Sequence, residues 1–181
     1  MFSRKFGVVV AVNVAMVVSP MLGGAALAQV AAVATAQSLQ GVISSAARTA
    51  ASQSGFQALS ADAKTAAIVA SVSNALSLSG ASSEVIADAL IQAVADGTIS
   101  AGVALSVAAA VAPDMAAKIA AAPAVVAQLS KTGQSATVTA STNAAGGVSV
   151  LVGLAGPGGG GGGTTAAYDP CAGVIAAYCG T

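Results

Sequence analysis

The sequence predicts a mostly α-helical protein, a small Ala-rich helical bundle that carries a short β-hairpin and a flexible Gly-rich C-terminal extension. Alanine dominates residues 29–132, and Ser, Gly and Pro interrupt this stretch at intervals of about one helix length, which is typical of consecutive capped helices. Residues 133–155 are instead rich in Thr, Ser and Val in an alternating pattern that favours strands. Six consecutive glycines at 158–163 indicate a flexible linker over 156–167, which leaves 168–181 as a terminal segment.

Residues 1–28 have the pattern of a secretory signal peptide. A short basic start precedes an apolar run, and Ala26 and Ala28 supply the small residues that a signal peptidase reads, so that cleavage would leave Gln29 as the N-terminus. The alternatives are a double-glycine leader and an uncleaved membrane anchor. An anchor needs about 20 uninterrupted apolar residues, and a proline and two glycines interrupt this run. We therefore expect a bacterial protein that is periplasmic or secreted.

Six helices are expected in the Ala-rich stretch, because a capping residue or a helix breaker stands at each boundary. Ser and Asp side chains satisfy free N–H groups at a helix start, Gly favours the left-handed conformation just past its end, and Pro fits the first position. The expected helices are Gln29 to Ser54, Ser60 to Ser79, Ser82 to Asp96, Ser100 to Ala112, Met115 to Ala121 with Asp114 as its cap, and Pro123 to Lys131.

Apolar residues spaced four apart give three of these helices a face for a common core. The three stripes are Ile68, Val72 and Leu76; Ile86, Leu90 and Val94; and Val103, Val107 and Val111. An alanine methyl buries little apolar area, and each Å² contributes only about 25 cal/mol. We therefore expect a bundle of modest stability, or one that completes its core by self-association.

A single β-hairpin is expected after the helices. Ser135 to Thr142 and Val148 to Leu154 are the two strands, and Asn143 to Gly147 forms the turn. An isolated hairpin is marginal in water, so we expect it either to dock on the helices or to be poorly ordered. A third alternative is strand-to-strand assembly through the second strand, which has no charge and no Pro.

The terminal segment contains both cysteines, Cys171 and Cys179, eight residues apart. In a continuous helix they would lie about 12 Å apart along the axis, whereas a disulfide needs Cα atoms within about 7 Å. The segment therefore either bends and carries a bridge, which an oxidising compartment favours, or is helical with free thiols. Tyr168 and Tyr178 are the candidate partner contacts, because tyrosine is enriched at interfaces.

The composition excludes most catalytic and ligand-binding chemistries. The chain has no His, six basic and six acidic residues. Without His it has no imidazole base, nucleophile partner or metal ligand, and six scattered basic residues cannot form a phosphate-binding stripe. Two thiolates with Asp169 do not complete a tetrahedral metal shell. We therefore expect no catalysis, no cofactor, no metal and no nucleic-acid partner.

The remaining expectation is a non-catalytic exported bacterial protein that is structural or binds a partner in the cell envelope or extracellular matrix. An unknown envelope or extracellular protein is the expected partner, with self-association as a further option. The alternative is a membrane-active, bacteriocin-like secreted protein, which the Ala/Gly-rich amphipathic segments and the terminal cysteines suggest. Contact with a membrane, without spanning it after cleavage, remains compatible with both.

Overall fold

The computed structural model describes residues 34–142, 148–157 and 167–174. In these ranges, α-helices precede one antiparallel hairpin, so the expected fold class is confirmed. The helices are α1 (Ala36–Ala51), α2 (Ala61–Leu78), α3 (Ser83–Ala95), α4 (Ala101–Val111), α5 (Ala116–Ala120) and α6 (Pro123–Thr132), and the strands are β1 (Ser135–Thr142) and β2 (Val148–Ala155).

The helix starts follow from short-range capping. The Ser60 side chain accepts a hydrogen bond from the Ala63 N–H at the start of α2, and Ser82 does the same for Val85 at the start of α3. Gly133 ends α6 with a φ of 67°, a left-handed conformation that side-chain-bearing residues rarely adopt. The expected bounds of α2, α3, α4 and α6 are therefore confirmed to within one or two residues.

The expected boundaries of the fifth and the first helix are wrong. Asp114 does not cap the fifth helix, because a 3₁₀ turn occupies Pro113–Met115 and α5 begins at Ala116 without a side-chain cap. Proline has a φ suited to a first turn, so Pro113 starts this turn one residue earlier and places Asp114 inside it. The first helix begins at Ala36, where Thr35 caps it, rather than at Gln29, and it ends at Ala51 rather than Ser54.

The helix α4 lies at the centre of the bundle and is covered on nearly every side. It contacts α2, α3, α5, α6 and β2. A helix that is apolar all round has to be buried, and α4 contains no charged residue. Its buried residues are Ala101, Gly102, Val103, Ala104, Leu105, Val107 and Ala108.

The three predicted apolar stripes, one of which belongs to α4 itself, form much of the core. The α2 and α3 stripes are buried in full, whereas in the α4 stripe Val111 is only half-buried at the helix end. Leu39 and Ile43 of α1 complete the layer that packs on α2 and α3. The core therefore combines a few branched side chains with many alanines.

The hairpin docks on the helices. Its strands pair in register from Ser135 opposite Ala155 to Thr142 opposite Val148 without a bulge. One face packs on the core through side chains of both strands, with β2 against α4 and β1 against α5 and α6. These inner residues are Ala136, Val138, Val150 and Val152. The docked alternative is thus the observed one, and β2 extends one residue past its expected end.

We expect Leu105→Ala to lower the free energy of unfolding by about 2–5 kcal/mol, because Leu105 is fully buried in α4 and its truncation leaves a cavity. Urea denaturation followed by circular dichroism measures this loss. Leu78→Ala is the matched control: Leu78 is 80% exposed, so its truncation should change stability little. Equal effects of the two variants would contradict the central position of α4.

Candidate functional site

The tail, residues 167–174, lies against the start of α4 and is anchored by Tyr168. The Tyr168 side chain is only 3% exposed, and its hydroxyl oxygen accepts a hydrogen bond of 2.7 Å from the Gly102 N–H. A Cβ atom on Gly102 would lie 2.3 Å from the ring atom Cζ of Tyr168. A glycine in α4 is therefore what allows the phenol ring to reach the helix backbone.

The contact with Tyr168 satisfies a backbone N–H group at the buried start of α4. The first N–H groups of a helix have no partner within it, and the side chain of the N-cap residue Ser100 bonds to none of them. Gln128 of α6 accepts from the Ala101 N–H through its side-chain oxygen, and Tyr168 accepts from Gly102. Two side chains distant in sequence thus cap α4.

The environment keeps Tyr168 protonated. Burial raises the pKa of Tyr168 above its ordinary value of 10.0, the neighbouring Ser100 hydroxyl and the Gly102 N–H oppose this rise, and the charge of Asp169 adds to it. The Ser100 oxygen is itself buried and lies beside the phenol, without another hydrogen-bond partner among the described residues. The net effect of the site is to favour the neutral phenol.

Two glutamine side chains hold the rest of the tail by its backbone. The Gln134 amide donates to the Asp169 carbonyl at 3.1 Å, and the Gln128 amide donates to the Gly173 carbonyl at 3.2 Å. Within the tail, the Cys171 N–H donates to the Asp169 carboxylate at 2.9 Å, which forms a local turn. The tail is thus bound along its described length.

In this conformation the Tyr168 side chain is buried and offers little surface to a partner, and its role as a partner contact stays a prediction. The missed signal was Gly102, a glycine near the start of an otherwise apolar helix. Tyr178 lies outside the described residues, as do the cleavage-site residues Ala26, Ala28 and Gln29, so these assignments stay predictions.

Only one half of the predicted Cys171–Cys179 bridge lies in the described chain. Around Cys171 the backbone forms a turn instead of a continuous helix, and Gly173 has a φ of 75°. Residues 171–174 are therefore not helical, and the rest of the segment between the two cysteines lies outside the described residues. Cys179 lies outside the described residues, and the bridge itself stays a prediction.

A groove runs between α1 and α2. It has a volume of about 660 Å³, and its lining includes Gly41, Ser45, Thr49, Asn74 and Leu78. Small and hydroxyl-bearing side chains dominate the lining, and no charged side chain contributes to it. The groove therefore provides surface without a group for acid–base chemistry or ion binding.

The outer face of the hairpin is the other uncharged surface. Thr137, Thr139 and Ser141 of β1 are exposed there, and Leu151 of β2 is 76% exposed beside them. The cross-strand pairs on this face include Thr139 with Leu151 and Thr137 with Gly153. The face thus combines one large exposed apolar side chain, Leu151, with hydroxyl groups.

Ion pairing contributes little to the stability of the described part of the chain. Lys118 and Asp88 form the ion pair found among them, at 3.3 Å, and both side chains are 54% exposed. Such a pair contributes well under about 1 kcal/mol. Among the same residues, no cluster of ligand-type side chains is fit to hold a metal ion, and no helix is both long and apolar enough to cross a bilayer.

The comparisons with known proteins return no relative: no protein-family model, no curated protein and no solved structure matches this chain.

We expect Tyr168→Phe to lower the free energy of unfolding by about 1–3 kcal/mol at neutral pH, because it leaves the buried Gly102 N–H without an acceptor. In the parent protein, the free energy of unfolding should fall as the pH rises above 10.0, since the unfolded chain then loses a tyrosine proton that the folded chain retains. The variant should lose this alkaline dependence. Urea denaturation from pH 7 to pH 11 measures both effects.

Tyr178→Phe is the control, because it removes the other tyrosine and leaves the Gly102–Tyr168 contact in place. Its alkaline dependence should resemble that of the parent. If Tyr168→Phe kept the stability and the pH dependence of the parent, the hydrogen bond to Gly102 would have no part in holding the tail.

Proposed function

We propose that this chain is a non-catalytic exported bacterial protein that acts through protein–protein contact in the cell envelope or extracellular matrix. The export half of the proposal is supported by the signal-peptide pattern of residues 1–28. The contact half is supported by one observation: the hairpin presents an uncharged outer face with Leu151, while the Tyr168 side chain that the sequence suggested for this role is buried.

The placement of the exposed apolar side chains favours a local contact over a membrane face. The large exposed residues among the described ranges belong to the loop after the first helix, the end of α2, α6 and the hairpin. They are Leu59, Leu78, Val126, Val148 and Leu151. Membrane-active helices instead gather such residues on one continuous side, and only the hairpin contributes two of them.

The exposed position of Leu151 has a structural cause. Leu151 lies opposite Thr139 on the face directed away from the helices, whereas its neighbours in β2, Val150 and Val152, pack against the core. The alternation along the strand thus directs a leucine to solvent in a protein that has few large side chains. Burying it against a partner would contribute about 1.5–3 kcal/mol.

We expect Leu151→Glu to release the protein from the envelope or matrix fraction, because a carboxylate at the centre of the contact must be desolvated without a partner. The measurement is the amount of mature protein retained by that fraction after washing, with the mass of the retained chain read by mass spectrometry. The parent should be retained as residues 29–181.

Leu78→Glu is the matched control, since Leu78 is also exposed, at 80%, but belongs to the end of α2 and not to the hairpin. It should leave retention unchanged. Equal release by both variants would contradict a contact through the hairpin, and recovery of the parent in the cytosol with residues 1–28 attached would contradict export. Leakage of dye from liposomes on adding mature protein would instead favour the membrane-active alternative.

A further inference from the structure

The edge of β1 that faces away from β2 has no strand partner within residues 34–142, 148–157 and 167–174. In an antiparallel strand, every second residue directs its N–H and C=O groups to one edge, so a strand of this length offers about four such residues outward. Native proteins usually protect an open edge with charged side chains, proline or a bulge. β1 has none of these three features.

Of the two strands, β1 is the more accessible. Six of its eight residues are exposed, against four of eight in β2. The residues from Thr139 to Thr142 are exposed consecutively, and because side chains alternate between faces, both faces of β1 are open there. β2 instead contacts α4 and the Pro113–Met115 turn and continues into the buried Gly156.

The sequence of β1 is its own mirror image. Ser-Ala-Thr-Val-Thr-Ala-Ser, residues 135–141, reads the same in both directions about Val138. Two such strands running antiparallel with Val138 opposite Val138 would place like residues opposite each other: Ser opposite Ser, Ala opposite Ala and Thr opposite Thr. Cross-strand pairs of β-branched residues such as Thr and Val stabilise a sheet.

We propose that β1 pairs antiparallel with β1 of a second copy about a two-fold axis at Val138, so that the exported protein is a symmetric dimer joined by a four-stranded sheet. This inference goes beyond the proposed function, since the pairing uses the edge of β1 and leaves the outer face with Leu151 open to an envelope partner. A two-fold contact of this kind uses the same patch on both subunits and closes on itself.

The register of the hairpin determines which side chains of neighbouring strands would lie side by side in the combined sheet. On the inner face, Val152 and Val138 of one copy would meet Val138 and Val152 of the second copy, which makes a row of four valines. On the outer face, Leu151 and Thr139 would continue into Thr137 and Gly153 of the second copy. Core-facing residues thus stay on the core side, and the two-stranded sheet of each copy becomes part of a four-stranded one.

Several properties make a second copy a better occupant of this edge than an unrelated strand. The edge carries no charge that would select a partner of opposite sign. Its sequence symmetry matches the operation that relates two copies of one chain, which an unrelated peptide would not share. The inward valines of the second copy would also continue the core-facing surface that β1 and β2 already form.

Light scattering on the purified exported protein tests the dimer. We expect the parent to show twice the mass of one chain, and Thr139→Lys to show the mass of a single chain, because a lysine on an edge strand opposes strand addition. Ser149→Lys is the matched control: Ser149 is also exposed on the outer face, but in β2, so this variant should remain dimeric. Unchanged helical circular dichroism would confirm that each variant is folded.

Cysteine cross-linking tests the register. Thr137 of one copy lies opposite Thr139 of the second in the proposed pairing, within the Cα distance that a disulfide spans, whereas like positions are offset by two residues, about 7–8 Å. A mixture of Thr137→Cys and Thr139→Cys proteins should therefore form covalent dimers on mild oxidation, while each variant alone and the parent should not.

The outcomes separate this inference from the proposed function. A parent that is monomeric at every concentration, a dimer that survives Thr139→Lys, or equal cross-linking in the mixed and single samples would overturn the β1 pairing. Dimers lost in Ser149→Lys and kept in Thr139→Lys would assign the contact to β2 instead. In each of these cases, retention that depends on Leu151 would leave the proposed function standing.

Discussion

The structure depends on covering α4 on nearly every side. This helix is built largely from alanine, valine and glycine, so its neighbours approach closely and no single contact contributes much apolar area. Cohesion therefore comes from many small contacts, supplied by helices on both sides of α4 in the sequence, by β2 and by Tyr168. The burial of α4 explains why a chain with few aromatic residues uses one of them here.

Burial of α4 also decides what remains on the surface. Because the start of the helix is inside the protein, its N–H groups need acceptors from elsewhere, and Gln128 and Tyr168 provide them. The tail is consequently part of the body of the protein over residues 167–174. What stays uncovered is the hairpin, whose inner face rests on the helices while its outer face and the edge of β1 do not.

The helical part of the fold could be predicted from the sequence because its boundaries depend on local chemistry. The serine caps of α2 and α3 and the glycine after α6 act over three or four residues, a range that a sequence pattern displays directly. The docking of Tyr168 could not be predicted in this way, since Gly102 is separated from it by 66 residues and a glycine in a helix also occurs without a special contact. The prediction that Asp114 caps the fifth helix was wrong for a local reason. Pro113 and Asp114 are both typical of a helix start, and the 3₁₀ turn begins at Pro113, which places Asp114 inside it.

Native-state hydrogen exchange of the α4 amides tests the central position of this helix most directly. The Ala104 and Ala112 amides, which bond to the carbonyls of Ser100 and Ala108, and the Gly102 amide should exchange only when the whole protein unfolds, at the free energy of global unfolding. Amides of the hairpin should exchange at a lower free energy. Exchange of the α4 amides at or below the free energy found for the hairpin would show that the bundle is not built around α4.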